Sequence, residues 1–78
     1  MPRYFFHIRT DDAFIRDPDG SDLPDLEAAR SEAGQSARDL LADLLREGGV
    51  LDGQVFEISD EAGTVLERVP FRSVLRLP

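Results

Sequence analysis

The chain lacks several residue types on which common protein functions depend. Its 78 residues include no cysteine, no tryptophan, no lysine and only one histidine. The absence of cysteine excludes disulfides, thiolate nucleophiles and cysteine-based zinc or iron–sulfur sites. No apolar run is longer than four residues, so we expect neither a signal peptide nor a membrane-spanning segment, and we place the protein in the cytoplasm.

Length and charge narrow the range of functions further. The 78 residues suffice for a single domain, residues 1–78, with a modest core. The net charge of −7 makes nucleic acid an unfavourable partner, because phosphate contacts need clustered cations. All 16 acidic residues lie between Asp11 and Glu67, whereas five of the arginines lie outside that segment. If the two ends meet in the fold, they form a basic surface that can orient a partner.

The first part of the chain reads as a β-hairpin. Residues 3–9 alternate between two faces, which is typical of a half-buried strand. A turn-type cluster, Thr10 to Asp12, separates this strand from a second short run at 13–16. One face of the first strand carries Tyr4, Phe6 and Ile8, and the other carries Arg3, Phe5, His7 and Arg9.

A long helix is predicted from Leu26 to Glu47, with Asp25 as its N-cap and Gly48–Gly49 at its end. Leu41 and Leu45 lie beside the main apolar stripe, where they either widen the core or form a second contact. The stripe itself recurs at steps of three and four residues: Leu26, Ala29, Ala33, Ala37, Leu40 and Leu44.

A second hairpin follows the helix. Strands at 54–59 and 65–69 flank a turn at 60–63, in which Gly63 takes the left-handed position. That bulged turn pairs Ile58 with Leu66 and Glu57 with Glu67, whereas a four-residue loop pairs Ile58 with Val65. The tail at 71–78 is apolar enough to pack against the rest of the domain.

These elements predict an α+β fold. It is a two-layer ββαββ domain, whose antiparallel four-stranded sheet has the order 2-1-3-4 and carries one long helix on one face.

Two groups of polar residues are candidate reaction or metal sites. Asp17, Asp19 and Asp22 place three carboxylates within six residues, which resembles a calcium loop. The glycine and glutamate that such a loop needs are absent, and turn formation explains the same residues. His7 is either a surface or interface residue or a general base, and the second role needs a nucleophile for which Ser59 is the nearest candidate. We expect no metal, no cofactor and no enzymatic activity.

The outer face of the first strand is the candidate interaction surface. Its arginines either form ion pairs with Glu57 and Glu67, bind a protein partner, or stack with Phe5 against single-stranded nucleic acid. Phe5 needs a cover, which is either the 71–78 tail or a second subunit. The proposed interface consists of Arg3, Phe5, His7, Arg9, Val55 and Val69.

Three segments carry a resemblance to a known family: 2–9 (PRYFFHIR), 19–30 (DGSDLPDLEAAR) and 69–72 (VPFR). The chain resembles a group of short proteobacterial proteins, frequent in rhizobia, classified as a domain of unknown function. That resemblance implies a bacterial domain and brings no activity, cofactor or site residue. A fainter similarity, residues 26–29 opening a helix after a hairpin, is to HicB-like antitoxin domains, which have three strands before the helix where two are predicted here.

The sequence therefore favours a small non-catalytic interaction module that self-associates as a homo-oligomer or binds another protein. The alternative is an antitoxin-like or regulatory protein that binds a basic partner or nucleic acid. A small enzyme is the third hypothesis, for which the chain lacks a convincing nucleophile, base and pocket.

Overall fold

The chain forms one antiparallel sheet with a single helix against one face, as a computed structural model describes it for residues 1–49 and 53–74. The predicted α+β class is confirmed. The elements are β1 (Arg3–Arg9), β2 (Phe14–Ile15), β3 (Ser21–Asp22), α1 (Leu26–Arg46), β4 (Val55–Ser59) and β5 (Val65–Pro70), followed by a 3-10 turn (Phe71–Val74). The sheet order is β2-β1-β4-β5, and β3 is an additional strand that pairs with β1.

β2 and β3 lie along the same edge of β1. Alternate residues of a strand direct their backbone groups to the same side. Even-numbered residues at the two ends of β1 bond to the segments that carry β2 and β3: the Thr10 amide donates to the Ala13 carbonyl, and the Pro2 carbonyl accepts from the Leu23 amide. Ile8 pairs with Ile15 and Tyr4 with Ser21, so the edge contains two more residues than the stretch of β1 it spans. The excess is accommodated by a protruding loop at residues 16–20, here called the edge bulge.

The second hairpin has the predicted turn but a different register. Asp60 donates to the Thr64 carbonyl and Gly63 to the Asp60 carbonyl, and Gly63 has a φ of 87°. Both predicted registers of β4 with β5 are wrong, because β5 contains a β-bulge. Ser59 pairs with Val65 and Ile58 with Glu67, so that Leu66 is an extra residue without a partner in β4. Glu57 pairs with Arg68.

The helix packs on β4, β5 and the 3-10 turn through small side chains. The Asp25 carboxylate accepts a hydrogen bond of 2.8 Å from the Ala28 amide, which confirms the N-cap. Leu41 rather than Leu40 completes the buried stripe, and Leu40 is 39% exposed, so its predicted place in the core is wrong. The buried core consists of Tyr4, Ala29, Ala33, Ala37, Leu41, Phe56, Ile58 and Phe71.

The start of the tail packs as predicted. Phe71 is buried against Phe56, with 4.8 Å between ring centroids, and Val74 lies against the core. The remaining tail residues of that prediction, 75–78, lie outside the described residues.

Candidate functional site

The face of the sheet opposite α1, here called the outer face, consists of three rows of side chains that cross the strands. The first row is Phe14, Arg9, Val55 and Pro70; the second is His7, Glu57 and Arg68; the third is Phe5, Ser59 and Val65. The predicted interface residues Phe5, His7, Arg9 and Val55 are therefore brought together. Arg3 follows on the same face of β1, where its guanidinium lies 3.2 Å from the Asp22 carboxylate.

Val69 is not on the outer face. It pairs with Phe56 and packs against the buried core from the helix side of the sheet. The register observed between β4 and β5 reverses the face predicted for this residue. For the same reason Glu67 points towards the helix, where it accepts a 2.8 Å hydrogen bond from Arg30 Nε.

Glu57 is the charged centre of the outer face. Its side chain is only 6% exposed, and its Oε2 accepts from Arg9 Nε at 2.8 Å and from Arg68 Nε at 3.4 Å. The hydrogen bond from Arg9 and the charges of both arginines outweigh the effect of burial and lower the pKa of the Glu57 carboxyl. Cross-strand ion pairing, one of the three alternatives for the arginines of this face, is therefore present at Glu57, whereas Glu67 pairs with Arg30 instead.

Asp17 fastens the edge bulge to β1. Its Oδ2 accepts from the Phe6 amide at 3.1 Å, and its Oδ1 accepts from the amides of Asp19 and Gly20 at 3.2 Å each. Burial alone would raise the pKa of the Asp17 carboxyl, but the hydrogen bonds from these three amides lower it. The carboxylate oxygens of Asp17 thus accept hydrogen bonds that stabilise a turn. Within 1–49 and 53–74, no three histidine or acidic side chains are grouped so that they could hold a metal ion.

His7 links the edge bulge to β4. Its Nδ1 accepts from the Asp17 amide at 3.0 Å, and its Nε2 lies 3.0 Å from Ser59 Oγ. A backbone amide can only donate, so the neutral ring carries its proton on Nε2 and donates to Ser59. A general base would need the lone pair of Nε2 free to accept the Ser59 proton, and Ser59 is itself buried. The pair therefore holds the bulge in place and does not resemble an activated serine.

Phe5 is covered by the edge bulge, an arrangement that the two predicted covers do not include. Its ring stacks beside His7 with 6.2 Å between centroids. A Cβ atom built on Gly20 would lie 2.9 Å from Phe5 Cε2, so the ring rests directly on this glycine. Phe5 is half-buried, and the ring contacts described above come from its own strand and the edge bulge.

Phe14 and Arg68 are among the residues of the outer face that sequence reasoning missed. Phe14 is 45% exposed, and the guanidinium carbon of Arg9 lies 4.5 Å above its ring centroid. Its place opposite Arg9 across a short hairpin was the signal that could have identified it. Arg68 could not have been found, because its face depends on the β4–β5 register.

The family of the chain follows from its sequence. The sequence profile described as "Domain of unknown function (DUF6894)" matches residues 3–72. The chain belongs to the DUF6894 family. The match extends from the start of β1 into the 3-10 turn, and the predicted membership of a family of unknown function is confirmed.

The other comparisons add no relative. No curated protein and no solved structure matches the chain significantly. The observed β3 brings the strand count before the helix to three, but the HicB-like similarity stays a prediction. None of the helices in the described part of the chain has the length and hydropathy needed to span a bilayer.

Proposed function

We propose that this DUF6894 domain is a non-catalytic interaction module that self-associates through the outer face of its sheet. The observation that carries the proposal is the first row of that face, Phe14, Arg9, Val55 and Pro70, which crosses four strands on the side away from α1. An aromatic ring with an arginine above it, flanked by aliphatic residues, has the composition of protein interfaces.

The chemistry around His7 supports a role without catalysis. A shallow depression lies between the edge bulge and the 60–63 turn, and its lining includes His7, Ser59, Asp17 and Phe5. Each of these four makes a hydrogen bond or a ring contact that holds the fold. The side chains of the depression that could take part in chemistry are thus engaged in structural contacts, which favours a role without catalysis.

A second copy of the chain fits the charges of the outer face. Arg9 and Arg68 share the single carboxylate of Glu57, so this part of the face carries a surplus positive charge. The chain as a whole has a net charge of −7. A second copy supplies carboxylates, and the local surplus at Arg9 and Arg68 attracts a carboxylate to this part of the face although the two chains carry the same net charge.

Sedimentation velocity from low to high micromolar concentration tests the proposal, with two substitutions in the same strand. Phe14→Ser removes the exposed ring from the outer face, and Ile15→Ser is its matched control, because Ile15 is 55% exposed and points to the opposite side of β2. We expect the wild type and Ile15→Ser to be oligomers. Phe14→Ser should weaken association by about 2 kcal/mol or more, as loss of an interface anchor does.

Two results would contradict the proposal. One is a wild type that stays monomeric at high micromolar concentration. The other is equal dissociation of both serine variants, which would mean that association does not depend on the outer face.

A further inference from the structure

We infer that Arg9 and Arg68 form a clamp for one carboxylate group supplied by the second copy of the chain. The inference rests on the proposed self-association, in which this contact would orient the two copies. The clamp is defined by the two arginines and by Glu57, the buried carboxylate that holds them.

The two guanidinium groups are positioned but only partly used. Each contacts Glu57 Oε2 through its Nε atom alone, at 2.8 and 3.4 Å. A guanidinium has five N–H donors, and the terminal nitrogens of Arg9 and Arg68 make no hydrogen bond to any residue in the described ranges. The two side chains are 54% and 64% exposed, so these donors are open to a ligand.

The charge of the site selects the class of ligand. Two guanidinium groups and one carboxylate leave a single positive charge, which one further carboxylate neutralises. The terminal edge of a guanidinium binds a carboxylate through two parallel hydrogen bonds. A nucleic-acid backbone needs a cluster of cations for its many phosphates, and two arginines with a net charge of one do not provide it, so nucleic acid is the less favourable anion.

The surroundings of the clamp favour a contact within an interface. Phe14 lies under the Arg9 guanidinium, and Val55 and Pro70 complete the same row. When a second copy covers these apolar groups, water is excluded from the clamp and its ionic hydrogen bonds are strengthened. Because Glu57 is buried and holds the arginines in place before binding, less side-chain entropy is lost on association.

Arg68→Gln tests the clamp, with Arg72→Gln as its matched control. Both variants lose one positive charge, and Arg72 is an exposed residue of the 3-10 turn with no ion pair inside the described ranges. Arg68→Gln should still fold, because Arg9 keeps the shorter contact to Glu57, and circular dichroism checks this. We expect the dissociation constant of the oligomer to rise about tenfold or more for Arg68→Gln, with a weaker dependence on salt.

A second variant separates geometry from charge. Arg68→Lys keeps the positive charge but cannot bind a carboxylate through two parallel bonds, so its dissociation constant should lie between those of the wild type and Arg68→Gln. The clamp is overturned if Arg68→Gln associates as tightly as the wild type, or if Arg72→Gln weakens association equally. In either case the Phe14→Ser result still decides the proposed function, and a monomeric wild type would reject both proposals.

Discussion

At the scale of single residues, the carboxylate of Asp17 takes the place of a backbone carbonyl at the edge of the sheet. The Phe6 amide points towards the gap between β2 and β3, where no strand residue can accept from it, and Asp17 Oδ2 fills that gap. An unsatisfied backbone amide would be costly there. The Asp17 side chain therefore continues the hydrogen-bond ladder of β1, and it also fixes the bulge between β2 and β3.

Asp17→Ala should lower the free energy of unfolding by about 1–3 kcal/mol, because three backbone amides lose a charged acceptor. Asp19→Ala is the control in the same bulge, since the side chain of Asp19 is exposed and its contacts are made by backbone atoms. Its effect should stay within about 0.5 kcal/mol. Urea denaturation measures both, and equal losses would contradict the role given to Asp17.

At the scale of elements, β2 and β3 behave as one edge strand that is interrupted by the bulge. Each has only two residues and gains little stability alone. The bulge between β2 and β3 is held on β1 by the hydrogen bonds of Asp17 with the Phe6 amide and the His7 ring, and by the packing of Phe5 on Gly20. We therefore expect the edge to depend on the close packing of Gly20.

Gly20→Ala and Gly63→Ala form a matched pair. Both glycines have a positive φ, 72° and 87°, so both variants suffer a backbone penalty of about 1–2 kcal/mol. The new Cβ at position 20 would also meet Phe5 and the Tyr4 carbonyl at 2.9 and 3.0 Å, whereas at position 63 it meets open space. Thermal or urea unfolding should show Gly20→Ala to be less stable by about a further 1–3 kcal/mol. Equal destabilisation would mean that Phe5 does not need the glycine.

At the scale of the whole molecule, charges that are separated along the chain are mixed by the fold. Two of the arginines that lie outside the acidic segment do meet, because Arg9 of β1 and Arg68 of β5 share Glu57 of β4. The meeting of the two chain ends themselves stays a prediction. These arginines do not form a purely basic surface, since Arg3 is also paired, with Asp22. Arg76 lies outside the described residues. Within the described residues, a local surplus of positive charge remains where Arg9 and Arg68 share Glu57.

Acid should destabilise the folded state through Glu57 and Asp17. Both carboxyls have a lowered pKa in the fold, so at acidic pH the unfolded chain binds more protons than the folded one. Their stabilising contribution is complete above the unfolded pKa values, about 4, and is lost as the pH falls through the lower folded values. Urea denaturation at a series of acidic pH values measures this loss.

Glu57→Gln should flatten that dependence on pH, because an amide does not titrate. Glu61→Gln, a change at an exposed residue of the 60–63 turn, is the control and should keep the slope of the wild type. An unchanged slope in Glu57→Gln would show that the paired carboxylate does not contribute to acid sensitivity.

Local patterns in the sequence were enough to predict most of the elements. The alternation of β1, the Asp25 cap, the length of α1 and the glycine turn of the second hairpin are each determined by neighbours in the chain. The α+β class follows, because one amphipathic helix and several short strands can bury their apolar faces only against each other. Four of the six predicted interface residues share the rows of the outer face for the same reason, since alternation within a strand assigns a side.

The tertiary structure alone decided what depends on pairing between distant residues. A shift of one residue in β5 reversed the faces of Val69 and Glu67 and placed Arg68 beside Glu57, and both registers satisfy the same alternation. The choice of Leu41 over Leu40 depends on where the helix meets the sheet. Phe5 is covered because the edge bulge ends at Gly20 beside β1, where Gly20 contacts the Phe5 ring. That contact joins residues fifteen apart, and it is supported by the hydrogen bond from the Phe6 amide to Asp17, which joins residues eleven apart.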